Sequence, residues 1–184
     1  MTLKSYIAAY LAGDAEALRL LKEAGFLNEG EPTSRGYVLY KALKHGYDVL
    51  SAVKHLGWDD FEYFLRLVFE EFGFSTAANL RLSCDGRGAE FDVVAWRRDL
   101  AFVIEAKKWR SGQGKWGQVA RGHLEKVRRC LPKLLLFASS VVPLVVTSAR
   151  FSSIIGGVPV VSVEKIRDFL TSFDYFKDQI AVLR

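Results

Sequence analysis

The stretch FDVVAWRRDLAFVIEAK (residues 91–107) sets two acids, Asp92 and Glu105, inside apolar runs, with Lys107 just beyond the second. Burying a carboxylate is costly unless something compensates its charge. If the two runs pair as a hairpin turning at Arg98-Asp99, Val94 faces Val103 and Trp96 faces Ala101. Asp92 then lies opposite Glu105, and Glu90 opposite Lys107. Directly opposed like charges destabilise a strand pair. They are relieved if one acid is protonated, if a basic residue bridges them, or if a divalent cation sits between. Mg2+ takes oxygen ligands at about 2.0–2.1 Å, which facing carboxylates can supply. Alternation puts Lys107 on the face of Glu105. A cation flanked by that amine is suited to position a water and to stabilise charge on a phosphate. The plainer arrangement is a salt-bridged strand end, with Lys107 paired to Glu105 and Glu90.

Such a hairpin has to be held by its neighbours. Its other face pairs Phe91 with Ala106, Val93 with Ile104 and Ala95 with Phe102, so it belongs in the middle of a sheet covered on both sides. Upstream, WDDFEYFLRLVFEEF reads as a helix opening at Trp58 and ended by Gly73, with Phe61, Phe64, Leu65, Val68 and Phe72 at helical spacing. A strand over 74–82 and the loop SCDGRG come next. Downstream lie the loop SGQGKWG (111–117) and a basic helix over about 117–130, with a continuation past Pro132. Buried strands at 143–148 and 158–163 and a helix from Glu164 complete the series. The order α-β-β-β-α-β-β-α from residue 58 predicts an α/β fold, a mixed β-sheet flanked by helices. Residues 3–24 and 35–56 read as helices, with Asp14 as an internal N-cap. The expected division is a helical N-terminal lobe (1–56) and an α/β domain (57–184).

The helix, strand and hairpin with Asp92 and Glu105-Ala106-Lys107 resemble the PD-(D/E)XK nuclease superfamily, above all archaeal Holliday-junction resolvases and Mrr-type restriction endonucleases. PLVVTSARFSSIIGGVPVVSVEKIRDFL is similar to the Mrr-type ending, a strand closing in Thr-Ser, a short segment, a Gly-Val strand and a last helix. The likeness spans about residues 58–170. It implies a restriction endonuclease-like fold and a DNA endonuclease using Mg2+, with Mn2+ as a substitute, that acts as a homodimer. By the resemblance, Asp92, Glu105 and the Ala106 carbonyl hold the metal and Lys107 orients or deprotonates water. Glu62 matches a further glutamate on the preceding helix, which supports the site through a metal-bound water. Phe91 stands where the motif's name has proline, a residue that the superfamily often lacks. Glu90 either supplements the metal site or bonds Lys107. Gln118 either matches a glutamine of some relatives or is an ordinary polar helix start. LLKEAGFLNEGEPTSRGYVLYKAL resembles the helix, wing and T-x-x-G helix start of a winged helix. However, residues 1–54 carry seven Lys/Arg against six Asp/Glu, which is no phosphate footprint, and a structural or dimerising lobe fits equally. Two alternatives stand beside a nuclease: a DNA-binding or regulatory protein that keeps the fold without cutting, and a purely structural ion network.

Half of the 184 residues are apolar, and the net charge of +5 leans mildly toward an anionic partner. Residues 107–133 hold nine basic side chains and one acid, Glu125. Lys108, Arg110, Lys115, Arg121, Arg128 and Arg129 are the candidate DNA contacts. Trp109 and Trp116 either stack on a base or pack on the sheet. Cys84 and Cys130 are too few for a disulfide framework and lack CxxC spacing. His45, His55 and His123 lack ligand spacing and read as ordinary surface or core histidines. No P-loop or GxSxG elbow occurs, and no small-molecule cofactor is expected. The most apolar window, 131–149, contains Lys133 and two prolines, while Gly13 and Asp14 interrupt the N-terminal apolar run. No membrane span or signal peptide is expected, and the setting should be cytoplasmic. Scarce Asn, Gln, Cys and Met fit a thermophilic source.

Overall fold

In this computed structural model the described residues are 2–108 and 115–184. Four helices come first: α1 (Leu3–Ala12), α2 (Glu16–Glu23), α3 (Arg35–Lys44) and α4 (Leu50–Val53). After α5 (Trp58–Glu71) come β1 (Ser75–Cys84), β2 (Arg87–Arg97) and β3 (Leu100–Lys107). The chain continues through α6 (Trp116–Leu134), β4 (Ser140–Thr147), β5 (Ser153–Ile155) and β6 (Val158–Ser162), with the short helices α7 (Ile166–Thr171) and α8 (Phe173–Phe176) at the end.

The strands form one six-stranded mixed sheet in the order β1-β2-β3-β4-β6-β5. β3 lies inside it, antiparallel to β2 and parallel to β4, as its nearly continuous apolar run requires. The β2–β3 register is the one expected, from Arg97↔Leu100 to Val93↔Ile104. Arg98 turns the hairpin with φ +55°. One face of the sheet packs under α5, α7 and α8, in a core that includes Phe61, Phe64, Val93, Ile104 and Phe169. The other face packs against α6 through Val94, Val103, Val127 and Leu134. Amphipathic helices on both sides account for the double burial.

Several boundaries differ from expectation for local reasons. Each expected N-terminal helix is two, because Gly13 and Gly46 adopt left-handed φ of +116° and +77° and end α1 and α3. Asp14 still marks the start of α2, its carboxylate accepting from Glu16 N at 3.0 Å. Residues 2–57 contain no strand among the described residues, so the wing of a winged helix is not formed. Gly36, from the T-x-x-G start, serves a close helix crossing instead: a Cβ there would lie 2.4 Å from the Asp60 carbonyl oxygen of α5. The loop SCDGRG is a tight turn between extended β1 and β2, and α6 runs on through Pro132. The short segment before Gly156-Gly157 is β5, folded back on β6 by two left-handed glycines. Cys84 and Cys130, too few for a framework, form one disulfide that ties the end of β1 to α6, with Cα atoms 5.2 Å apart. No described helix is long and apolar enough to cross a membrane.

Candidate active site

The site begins with a break in strand alternation. β1 and β2 keep one register across Asn79 and Asp92, with Ala78↔Val93 on one side and Leu80↔Phe91 on the other. The side chains nevertheless change faces there. Val93 and Ala95 pack in the core under α5, whereas Phe91 and Ala89 pack with α6, as does Val94. On β1, Thr76 is bonded to Arg66 of α5, while Leu80, Leu82 and Cys84 join the α6 side. Strict alternation would keep Phe91 with Val93. Each strand therefore switches at one residue, which preserves the register. Asn79 makes the switch with φ +53°, a conformation that asparagine tolerates better than most residues. The expected sharing of a face by Phe91 and Ala106 is corrected accordingly, since Ala106 lies on the α5 side.

Beyond Val93↔Ile104 the β2–β3 ladder stops, while β3 continues beside β4 to Lys107↔Thr147. Polar groups occupy this open end of the hairpin. Asp92 Oδ2 accepts from the Ala106 backbone N–H at 2.7 Å. Glu62 projects from α5, 7 % exposed, and accepts from Asn79 Nδ2 at 2.9 Å. Glu105 Oε1 accepts from Lys107 Nζ at 2.6 Å, and its Oε2 accepts from Lys126 Nζ of α6, also at 2.6 Å. Lys126 donates as well to the Glu90 carbonyl at 2.9 Å and stands 5.1 Å from the centre of the Phe91 ring.

The three acids are held differently. Burial raises the pKa of Glu62 above the usual carboxyl range, and the nearby charge of Asp92 adds to this, against the hydrogen bond from Asn79. Burial likewise raises Asp92; the Ala106 N–H opposes it and the charge of Glu105 reinforces it. Burial also acts upward on Glu105, but the hydrogen bonds and charges of Lys107 and Lys126 outweigh it and bring the pKa down to about 2. Among the described residues no salt bridge reaches Glu62 or Asp92.

Four expected residues thus lie toward one end of the sheet, Glu62, Asp92, Glu105 and Lys107, with a direct bond among them only between Glu105 and Lys107. Glu90 does not bond Lys107; its carboxylate faces Arg81 at 3.1 Å, and only its carbonyl enters the site. Gln118 is exposed on the first turn of α6, away from these contacts. Asn79, Lys126 and His123 are the participants that sequence reasoning missed. His123 is a core histidine, one of the two settings expected, with its ring buried beside Glu105, Nε2 2.8 Å from the Val103 carbonyl and Nδ1 3.6 Å from Glu105 Oε2. Burial lowers its pKa to about 4, so the ring is neutral near pH 7.

The basic segment divides. Lys115, Arg121 and Arg128 are exposed. Arg129 reaches the Gly88 carbonyl at 3.4 Å. Lys108 is drawn inward, donating to the Leu56 carbonyl at 2.5 Å with its ammonium 4.5 Å from the Trp58 ring centre. Trp116 is buried and stacked on Phe151 at 5.4 Å, packing on the protein. Trp109, Arg110, Gly112 and Gly114 lie outside the described residues.

Among the described residues, no three of His, Cys, Asp and Glu are gathered closely enough to hold a metal ion. The donors still fit a hard divalent cation in kind. Glu62, Asp92 and the main chain offer oxygen, and the two raised carboxyls are groups that an added positive charge would relieve. Glu105 is the exception, because both of its oxygens already hold ammonium groups.

The family model Mrr_cat, described as a restriction endonuclease, matches residues 53–153. An uncharacterised protein of Archaeoglobus fulgidus is 28 % identical over 130 residues, covering 68 % of this chain and 98 % of the relative. Among solved structures, AF1548, a protein of unknown function, is 20 % identical with a TM-score of 0.42, over 55 % of this chain and 56 % of its own. VC1899 from Vibrio cholerae is 12 % identical with a TM-score of 0.44, over 97 % of this chain and 57 % of its own. The chain thus spans little more than half the length of either solved protein.

Proposed function

Because the chain belongs to the Mrr-type restriction endonucleases of the PD-(D/E)XK superfamily, we propose that it is a divalent-metal-dependent DNA endonuclease that hydrolyses phosphodiester bonds. One observation carries the reading: two carboxyls with pKa raised by burial, buried Glu62 and half-buried Asp92, lie with the lysine-bound Glu105 where the hairpin opens. Asp92, Glu105 and the Ala106 carbonyl would hold Mg2+ or Mn2+, with Glu62 supporting the ion through a water. A bound ion supplies Lewis-acid polarisation of the phosphate and acidifies a water.

The remaining work falls to the chain. Lys107 places its ammonium at the same end, where it can orient the attacking water and offset charge on the phosphate. Asn79 fixes the Glu62 carboxylate, and the Ala106 N–H fixes that of Asp92. Exposed Lys115, Arg121 and Arg128 would carry the DNA backbone, so binding should weaken as salt rises. The homodimer implied by the resemblance belongs to the proposal and is read by light scattering.

Incubation with linear duplex, single-stranded and four-way-junction DNA in Mg2+ or Mn2+ tests the reading. Asp92→Ala should slow cutting at least about 100-fold; equal cutting by wild type and variant would refute a role for this site. The lysines on Glu105 favour one other reading, a DNA-binding protein that has kept the fold without the activity. Salt-sensitive binding with no cutting in either metal would select it.

A further inference from the structure

The site contains a resident cation that the proposed chemistry does not use. Lys126 comes from α6, on the side of the sheet away from α5, and reaches across the open end of the hairpin. It meets Glu105 Oε2 at 2.6 Å, the Glu90 carbonyl at 2.9 Å and the Phe91 ring at 5.1 Å. A single exposed ion pair would be worth little. Here, however, the carboxylate is only 15 % exposed and the lysine 24 %, and one ammonium joins three groups on two strands that have parted. Lys107 covers the other oxygen of Glu105 at 2.6 Å. An incoming divalent ion therefore meets a carboxylate whose two oxygens both face positive charge.

We propose that Lys126 is an internal counter-cation of the site: it positions Glu105 before a divalent ion arrives, and that ion must share the carboxylate with it. This rests on the cation-site part of the functional reading and not on DNA cleavage. Each carboxylate oxygen has two lone pairs, so the ion and Lys126 can both be accommodated, but their charges repel at close range. Lys126 consequently weakens ion binding while holding Glu105 in one orientation. A purely structural bridge, on a carboxylate that takes no ion, would hold Glu105 as well but would not affect ion affinity.

Mn2+ affinity of the full-length protein, read from the electron paramagnetic resonance signal of the free ion, needs no substrate. Lys126→Met should tighten Mn2+ binding about tenfold. Lys126→Arg, which keeps the charge, should stay within about threefold of wild type. Lys133→Met removes an exposed charge about 10 Å further along α6 and serves as the general-charge control; it should change little. Circular dichroism establishes that each variant is folded, and Lys126→Gln replaces Lys126→Met if that protein does not fold. If the neutral variant binds Mn2+ no more tightly than Lys133→Met, or if wild type binds no Mn2+, the proposal is wrong. A wild type that binds Mn2+ but cuts no DNA removes the nuclease reading alone. If the nuclease reading holds, Lys126→Met should also cut more slowly per bound ion, and Lys126→Arg should recover most of that loss.

Discussion

Glu62 and Asp92 form no salt bridge among the described residues, and burial holds their pKa values above the ordinary range, for Asp92 against the more distant charges of Lys126 and Lys107. A carboxyl whose pKa is higher folded than unfolded binds protons preferentially in the folded state, so stability falls as pH rises through the interval between the two values. Near pH 7 both groups therefore cost stability. Glu62→Gln and Asp92→Asn should each raise the melting temperature by a few degrees in chelator at pH 7, since for a chain of this length about 1 kcal/mol is worth roughly 2–4 °C. Wild type should narrow the gap as falling pH passes through the raised pKa values of the two carboxyls. Glu105 works in the opposite sense: its pKa of about 2 provides stability above the unfolded value, lost as pH falls from about 4.5 to about 2. Mg2+ should stabilise wild type more than either variant, because a ligand stabilises the state that binds it. Scanning calorimetry with and without Mg2+ checks this, and variants less stable than wild type in chelator would contradict it. At this scale the residues legible from pattern were the acids inside apolar strands, Asp92 and Glu105, whereas Glu62 was reached only through the family resemblance. Asn79 and His123 broke no pattern. Lys126 was hidden among the other bases of its helix, its role set by a contact across the sheet.

The same division holds for whole elements. β3 and its register could be read because a run apolar on both faces, joined by a two-residue turn, leaves few alternatives. The switch at Asn79 and Asp92 could not, since a paired kink leaves length and register unchanged. The disulfide escaped because 46 residues separate Cys84 from Cys130, and only the packing of α6 on the sheet brings them together. Its loop is long enough that reduction should cost about 2–4 kcal/mol, chiefly through the entropy regained by the unfolded chain. Cys130→Ser, or wild type in reductant, should unfold at a correspondingly lower urea concentration. An unchanged midpoint would mean that the bridge does not form in solution. The bridge also bears on the expected cytoplasmic and thermophilic setting, because intracellular disulfides are rare outside hyperthermophiles. With His123, Lys126 and Cys130 all on α6, the helix that carries the bridge also carries two of the groups set against Glu105.

For the molecule as a whole, the family match begins at residue 53, and the sequence suggested a separable helical lobe before it. The packing argues against independent folding. Leu11, Leu21, Leu39 and Val53 lie in the same core as Phe61, Phe64 and Leu65 of α5 and Val93 and Ile104 of the sheet. α3 and α5 approach so closely that only glycine fits at residue 36, whose N–H donates to Asp60 Oδ1 at 3.0 Å. Glu62 lies on that same helix, so the N-terminal helices help to fix one of the site's acids. Removing residues 1–56 would uncover the α3-facing side of α5. At about 1.5–3 kcal/mol for each large apolar side chain exposed, uncovering three costs about 5–9 kcal/mol, comparable with the total stability of an ordinary domain. The fragment 57–184 should therefore aggregate or bind a hydrophobic dye without a cooperative melt, whereas the full chain should melt in a single transition. A fragment that melts cooperatively within a few degrees of the full chain would show that the lobe is an accessory, and that Glu62 is positioned without it.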